Sequence, residues 1–116
     1  MRRERLYLSD VIAAADAIAE FLGGCTKETF LADDFMRSAV LQKLAVIGES
    51  AARLTPELRV RYSEIPWVDI IDFRNRVVHA YFNLDWEIVW VTATEQVPEL
   101  RRQILAIVDA EYPEPQ

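Results

Sequence analysis

Apolar residues recur at three- and four-residue intervals along nearly the whole chain, the pattern of amphipathic helices. The first stripe is Leu8, Val11, Ile12, Ala15, Ile18, Ala19 and Leu22, and it predicts a helix from about residue 5 to residue 22. Gly23-Gly24 follows and ends it. Thr26-Lys27-Glu28-Thr29 is placed to cap a short turn. The second stripe is Phe35, Ala39, Val40, Leu44, Ile47 and Ala51, in a helix that starts at Asp33 or Asp34 and reaches about residue 54. Gly48 falls inside it, where glycine costs about 1 kcal/mol against alanine. A close approach by another helix would account for that glycine.

Thr55-Pro56-Glu57 has the order of a helix start: Thr at the N-cap, Pro at the first position, an acid in the first turn. That helix is short and ends near Tyr62. Ile65-Pro66-Trp67 opens the next, which is expected to run to about Tyr81. Asn83 or Asp85 caps the last segment, from Trp86, Ile88, Val89, Trp90 and Val91 through Val97, Leu100, Ile104, Leu105, Ile107 and Val108. Pro98 lies inside it, and its ring clashes with the carbonyl of Thr94, so a kink or break is expected there. Ile88-Val89-Trp90-Val91 has strand propensity, but a lone strand has nothing to pair with, and the segment is read as helix. The result is an all-α, up-and-down bundle of four to five helices in a single domain, 1–116, with a frayed tail at 112–116.

Composition narrows the classes. The chain has 116 residues, enough for one domain, and 52% hydrophobic residues, too many for a disordered chain. Twelve aromatic residues are many for so small a bundle and leave apolar surface for a partner, a homodimer being the commonest arrangement. No apolar run is long enough to span a membrane, and the charged start Met1-Arg2-Arg3-Glu4-Arg5 is not that of a secretory signal. Cys25 has no second cysteine to pair with, which fits a reducing cytoplasm. One His and one Cys exclude the usual zinc sites within one chain, and no metal or cofactor is expected. A net charge of -6 argues against nonspecific coating of nucleic acid. It leaves room for a local arginine site. Arginines cluster at Arg2/Arg3/Arg5, Arg53/Arg59/Arg61 and Arg101/Arg102, which read as solvated helix faces, and at Arg74/Arg76, which does not.

On the helix from Trp67, at about 100° per residue, Asp72, Asn75, Arg76 and His79 fall within roughly 60° of one direction. Ile70, Ile71, Val77 and Val78 fall on the other side, and Arg74 lies at about 200°, inside their stripe. A guanidinium there must reach out to solvent, pair with an acid, or face a site. Glu49, next to Gly48, and Asp10 are the candidate partners. Arg74 and His79 are about 140° apart around an ideal helix, so either the long arginine reaches round, or the helix ends before His79, or, the preferred reading, the site combines side chains from two subunits. A cleft at a dimer axis would carry two of each.

These residue types suit RNA cleavage without a metal. The neighbouring 2′-hydroxyl is the nucleophile. A base takes its proton, an acid protonates the leaving 5′-oxygen, and positive charge stabilises the phosphorane. Histidine, with an ordinary pKa of about 6.5, fits the proton transfers. Arginine fits the phosphate. Asn75 is placed to orient the ring or the ribose, and Tyr81 to bond phosphate, stack on a base, or accept a nucleotidyl group. Two other readings stand beside this one: a non-catalytic helical module binding a nucleotide or a partner through Arg74, and an inert bundle with an internal Arg74–Glu49 or Arg74–Asp10 pair.

Arg74-Asn75-Arg76-Val77-Val78-His79-Ala80-Tyr81 resembles the Arg-x4-His-x-Tyr signature of the HEPN superfamily, specifically its HepT-type toxins. The resemblance extends to Tyr7-Leu8-Ser9-Asp10-Val11-Ile12, Val46-Ile47-Gly48-Glu49-Ser50-Ala51, Glu64-Ile65-Pro66-Trp67 and Ile88-Val89-Trp90. It implies a helical homodimer and the toxin half of a type VII-like toxin–antitoxin module. It implies a metal-independent endoribonuclease with Arg74 and His79 as the catalytic pair and Asn75 as their polar neighbour, Asp72 and Arg76 lying beside them. It also implies an antitoxin, the nucleotidyltransferase MntA, that transfers AMP to Tyr81.

Overall fold

The computed structural model describes residues 2–79 and 81–115, without the side chains of Arg2 and Val78. Val78 in the apolar stripe, Arg2 in the first arginine cluster and Gln116 in the tail therefore lie outside what is described. The helices are α1 (Arg2–Leu22), α2 (Lys27–Ala32), α3 (Asp34–Arg53), α4 (Pro56–Arg61), α5 (Trp67–His79), α6 (Trp86–Val91) and α7 (Val97–Glu111). A 3₁₀ turn, Tyr81–Asn83, follows α5, and a π-helical turn, Thr92–Gln96, joins α6 to α7. No strand occurs among the described residues, so Ile88-Val89-Trp90-Val91 is helical as expected.

Side-chain caps set the boundaries. Thr26 accepts from the Thr29 N–H, Asp33 from Met36, Thr55 from Leu58, and Asp85 from Glu87 and Ile88. Each satisfies an N–H that the first helical turn cannot pair internally. Thr55 does more. Its hydroxyl and its N–H both donate to the buried Glu4 carboxylate, at 2.8 and 3.0 Å, which fastens the start of α1 to the start of α4. At the other end of α4, Tyr62 and Arg61 donate to Glu111 on α7, at 2.8 and 2.9 Å.

The core runs between α1, α3 and α7, with Leu8, Val11, Ile18, Val40, Leu44, Ile47, Ile104 and Ile107 all buried. α3 is the central helix: α1 packs on one side of it and α5 on the other, and α1 also packs on α7. α5 leans chiefly on α3. Its other flank borders a groove of about 720 Å³ lined by Leu44, Ile47, Ile70, Phe73, Val97 and Leu100 among others.

The kink or break expected near Pro98 takes the form of a kink: Val97 donates to the carbonyl of Thr92, five residues back, in a π turn with helix on both sides. The widened turn is where Pro98 would otherwise meet the Thr94 carbonyl. Two expectations are corrected in detail. α5 ends at His79, short of Tyr81, which lies in the 3₁₀ turn. Phe35, counted in the second apolar stripe, is 85% exposed. At about 100° per residue it lies roughly 120–180° from Val40, Leu44, Ile47 and Ala51, so it faces away from the core they fill.

Candidate active site

The crossing of α3 and α5 is built on Gly48. A Cβ at that position would overlap the Arg74 Cβ and come within 2.9 Å of its Cγ and 3.2 Å of the Ile70 carbonyl oxygen. Glycine therefore lets α5 lie directly against α3, with the Arg74 stem crossing over it. The glycine that helix propensity disfavours is the one that tertiary packing requires.

The Arg74 guanidinium emerges from this crossing beside Glu49, the residue after Gly48. Nη2 pairs with Glu49 Oε2, and Nη1 donates to Asn75 Oδ1 at 2.7 Å. Arg53 joins from one turn further along α3, its Nε 3.1 Å from Glu49 Oε1. One carboxylate thus holds two guanidiniums. Arg74, and after it Arg53, hold the Glu49 carboxyl below the ordinary carboxylate range. The Arg53 guanidinium also lies 5.9 Å from the centre of the Tyr7 ring. The pair is not sealed: the side chains of Arg74 and Glu49 are 32% and 40% exposed. They line an open cleft of about 550 Å³ with Tyr7, Asp10, Ser50 and Arg53.

Of the two candidate acids, Glu49 is the one that meets Arg74. Asp10 shares the cleft and forms no ion pair among the described residues. Asp72 and Arg76 are exposed and line the other groove, on the far flank of α5. His79 is exposed, lines neither cavity, and has no hydrogen-bond partner among the described residues. One subunit therefore gathers Arg74, Asn75 and Glu49, and does not place His79 in their cleft.

Tyr81 belongs to a second cluster. It is 38% exposed, and its hydroxyl lies 3.4 Å from the Ser38 hydroxyl of α3. Its ring meets Phe82 and Trp86 edge-on, with centroids 5.5 and 6.1 Å apart. The Arg37 guanidinium lies 5.0 Å from the centre of the Trp86 ring, and its Nη1 donates to the Leu31 carbonyl at 2.7 Å. Reading the sequence missed the parts played here by Arg53, Arg37, Ser38 and Phe82. The i,i+4 spacing of Glu49 and Arg53 was available as a signal. Nothing in the sequence pairs Ser38 with Tyr81, which are 43 positions apart.

A family model described as ribonuclease HepT-like matches residues 11–107, which include α3, α5 and the whole Arg74–Tyr81 segment. A Caldanaerobacter subterraneus protein named "putative RNase" is 31% identical over 96% of this chain and 99% of its own length. A Thermococcus cleftensis protein named "probable ribonuclease HepT" is 33% identical over 86% of this chain and 91% of its own. In Methanocaldococcus jannaschii, a protein named "gamma-glutamylcyclotransferase and putative RNase" is 28% identical over 94% of this chain and 50% of its own length. No solved structure matches the chain. No described helix is long and apolar enough to cross a membrane. With the family model matching residues 11–107 and relatives of 31% and 33% identity covered over nearly their whole length, the chain belongs to the ribonuclease HepT-like family.

Proposed function

We propose that the protein is an endoribonuclease that acts as the toxin of a toxin–antitoxin pair, with Arg74 and His79 as its catalytic residues. The observation that carries this reading is family membership over residues 11–107, combined with an Arg74 guanidinium that opens to a cleft rather than lying sealed in the core. In the reaction, the 2′-hydroxyl of RNA attacks the adjacent phosphate. One imidazole takes its proton, and a second protonates the departing 5′-oxygen, leaving a 2′,3′-cyclic phosphate and a 5′-hydroxyl. Arg74 stabilises the charge on the phosphorane. Each chain has a single histidine, so two imidazoles require two chains. A homodimer also supplies what one subunit lacks, a His79 brought to the Arg74 cleft. Asn75 fixes the guanidinium, and Glu49 holds it until phosphate displaces the carboxylate. Asp72 and Arg76, on the opposite flank of α5, serve in this reading as contacts to the flanking RNA or to the second subunit.

Tyr81 is the site of control. Its exposed phenol, free of any ion pair among the described residues, accepts AMP from an MntA-like nucleotidyltransferase antitoxin. The added anion then blocks the neighbouring site. Expression without the antitoxin should arrest growth, and His79→Ala or Arg74→Ala should relieve the arrest. RNA cleavage by the purified protein should persist in EDTA. Two mutants as toxic as the wild type would remove the catalytic assignment. Co-expression with the nucleotidyltransferase should add mass in AMP units, and Tyr81→Phe should abolish the addition.

The Arg74–Glu49 pair gives one specific observation to the inert-bundle reading. Under it, Arg74→Met would be folded, near neutral in stability and without effect on toxicity.

A further inference from the structure

Resting on the ribonuclease reading, we propose that Phe82 is a stacking platform for an unpaired nucleobase of the RNA, braced by Tyr81. Phe82 is 96% exposed, three positions beyond His79. A phenyl ring so fully in water is held by no packing of its own subunit, yet it is not left loose. It stands edge-to-face with Tyr81 at an interplanar angle of 87°, and Tyr81 stands edge-to-face with Trp86 at 81°. Trp86 is in turn covered by the Arg37 guanidinium, which is fixed to the α2 backbone at Leu31. Ser38 holds the Tyr81 hydroxyl from α3. The series Arg37, Trp86, Tyr81, Phe82 thus runs from a half-buried anchor to a free ring face.

Two occupants suit exposed aromatic rings: a base or a second protein surface. The charge and the second groove favour the base. A chain of net charge -6 gains little affinity from phosphate attraction over its whole surface, so RNA must be held by local contacts. Base stacking on aromatic rings supplies such a contact and needs an unpaired base. The Arg37 guanidinium over Trp86 supplies a positive charge at one end of the rings for an anionic backbone. The groove beside α5, where apolar side chains such as Leu44, Ile70 and Phe73 are rimmed by Asp72, Arg76 and Glu99 and Ile88 is exposed, is the larger surface for a second protein. The substrate is therefore single-stranded RNA, or a loop, with a base splayed out next to the cleaved bond.

The test uses wild-type protein and a short 2′-O-methyl RNA that carries 2-aminopurine and cannot be cleaved. Binding should quench the fluorophore in the single strand and not in the duplex. Phe82→Ala should weaken binding about ten-fold or more and abolish the quench, while Phe82→Trp should retain both. With cleavable RNA, Phe82→Ala should raise KM by a similar factor and change kcat far less. Equal affinity and equal quench in Phe82→Ala would overturn the proposal. So would conversion of a dimer to a monomer by Phe82→Ala in sedimentation, which would make the ring a subunit contact. If the wild type cleaves RNA and Phe82→Ala has an unchanged KM, the platform alone is wrong. If the wild type quenches the probe and cleaves no RNA, the ribonuclease reading fails and the platform stands.

Discussion

The two ends of α5 differ in what holds them. At the N-terminal end Trp67 is buried, its indole N–H donating to the Tyr62 carbonyl at 3.1 Å, and Ile65 just before it is fully packed. Midway, Gly48 brings α3 into contact with the helix. At the C-terminal end His79 is exposed, and the chain turns into a 3₁₀ segment whose Phe82 is bare. The first end contributes to stability and the second presents an imidazole and aromatic rings to solvent. A helix fixed firmly at one end can hold such groups out at the other, which is how folded proteins place function on elements that the core positions.

The largest expected effect lies at the fixed end. Trp67→Ala removes a buried ring and leaves the Tyr62 carbonyl without its indole donor, and should cost about 3–5 kcal/mol in urea unfolding. His79→Ala should stay within about 0.5 kcal/mol, because its side chain is exposed and unpartnered among the described residues. A large loss of stability from His79→Ala would erase the contrast between the two ends.

Next in size is the crossing itself. Gly48→Ala gains about 1 kcal/mol of helix propensity. It also forces its Cβ into the Arg74 stem and toward the Ile70 backbone. Overpacking of this kind costs about 1–3 kcal/mol, occasionally more. The net result should be destabilisation, and RNA cleavage should fall with it, because α5 cannot move off α3 without shifting Arg74 away from Glu49. A neutral or stabilising Gly48→Ala in thermal unfolding would show that the two helices separate freely.

How much of this could be read in the sequence follows the same division. Helix starts were legible because a cap is local: Thr26, Asp33, Thr55 and Asp85 each satisfy an N–H within three residues. The tight crossing was legible as a misplaced glycine, since Gly48 had no local reason to be there. Arg74 was legible because it interrupts an apolar stripe. Its choice of Glu49 over Asp10 was not, because both acids can reach the cleft and only the helix crossing decides between them. The kink at Pro98 was legible because the proline ring clashes locally with the preceding turn; that the chain absorbs it as a π turn was not. Phe35 was misassigned by hydrophobicity, although its angle on α3 already separated it from the core. The Ser38–Tyr81 and Arg37–Trp86 contacts join residues far apart in sequence, and no periodicity reports such a pairing.

The smallest effect concerns the tether on Arg74. Arg74 and Arg53 lower the Glu49 pKa in the folded protein, from an ordinary value of 4.5. A carboxylate so depressed contributes stability that is fully present above that ordinary value and is lost as pH falls through the folded-state value. Glu49→Gln removes the charge at every pH. The variant should therefore be slightly less stable than the wild type near neutrality, by no more than about 1 kcal/mol for so exposed a pair. The difference should shrink as the pH drops below the ordinary carboxylate range, where the wild type loses the charge as well. Phe82→Ala should show no such convergence, since nothing titrates at the bare ring. The measurement is unfolding by urea across that pH window for both variants. A gap between wild type and Glu49→Gln that stays constant into acid would mean that the carboxylate charge contributes nothing, and that the α3–α5 crossing alone fixes Arg74.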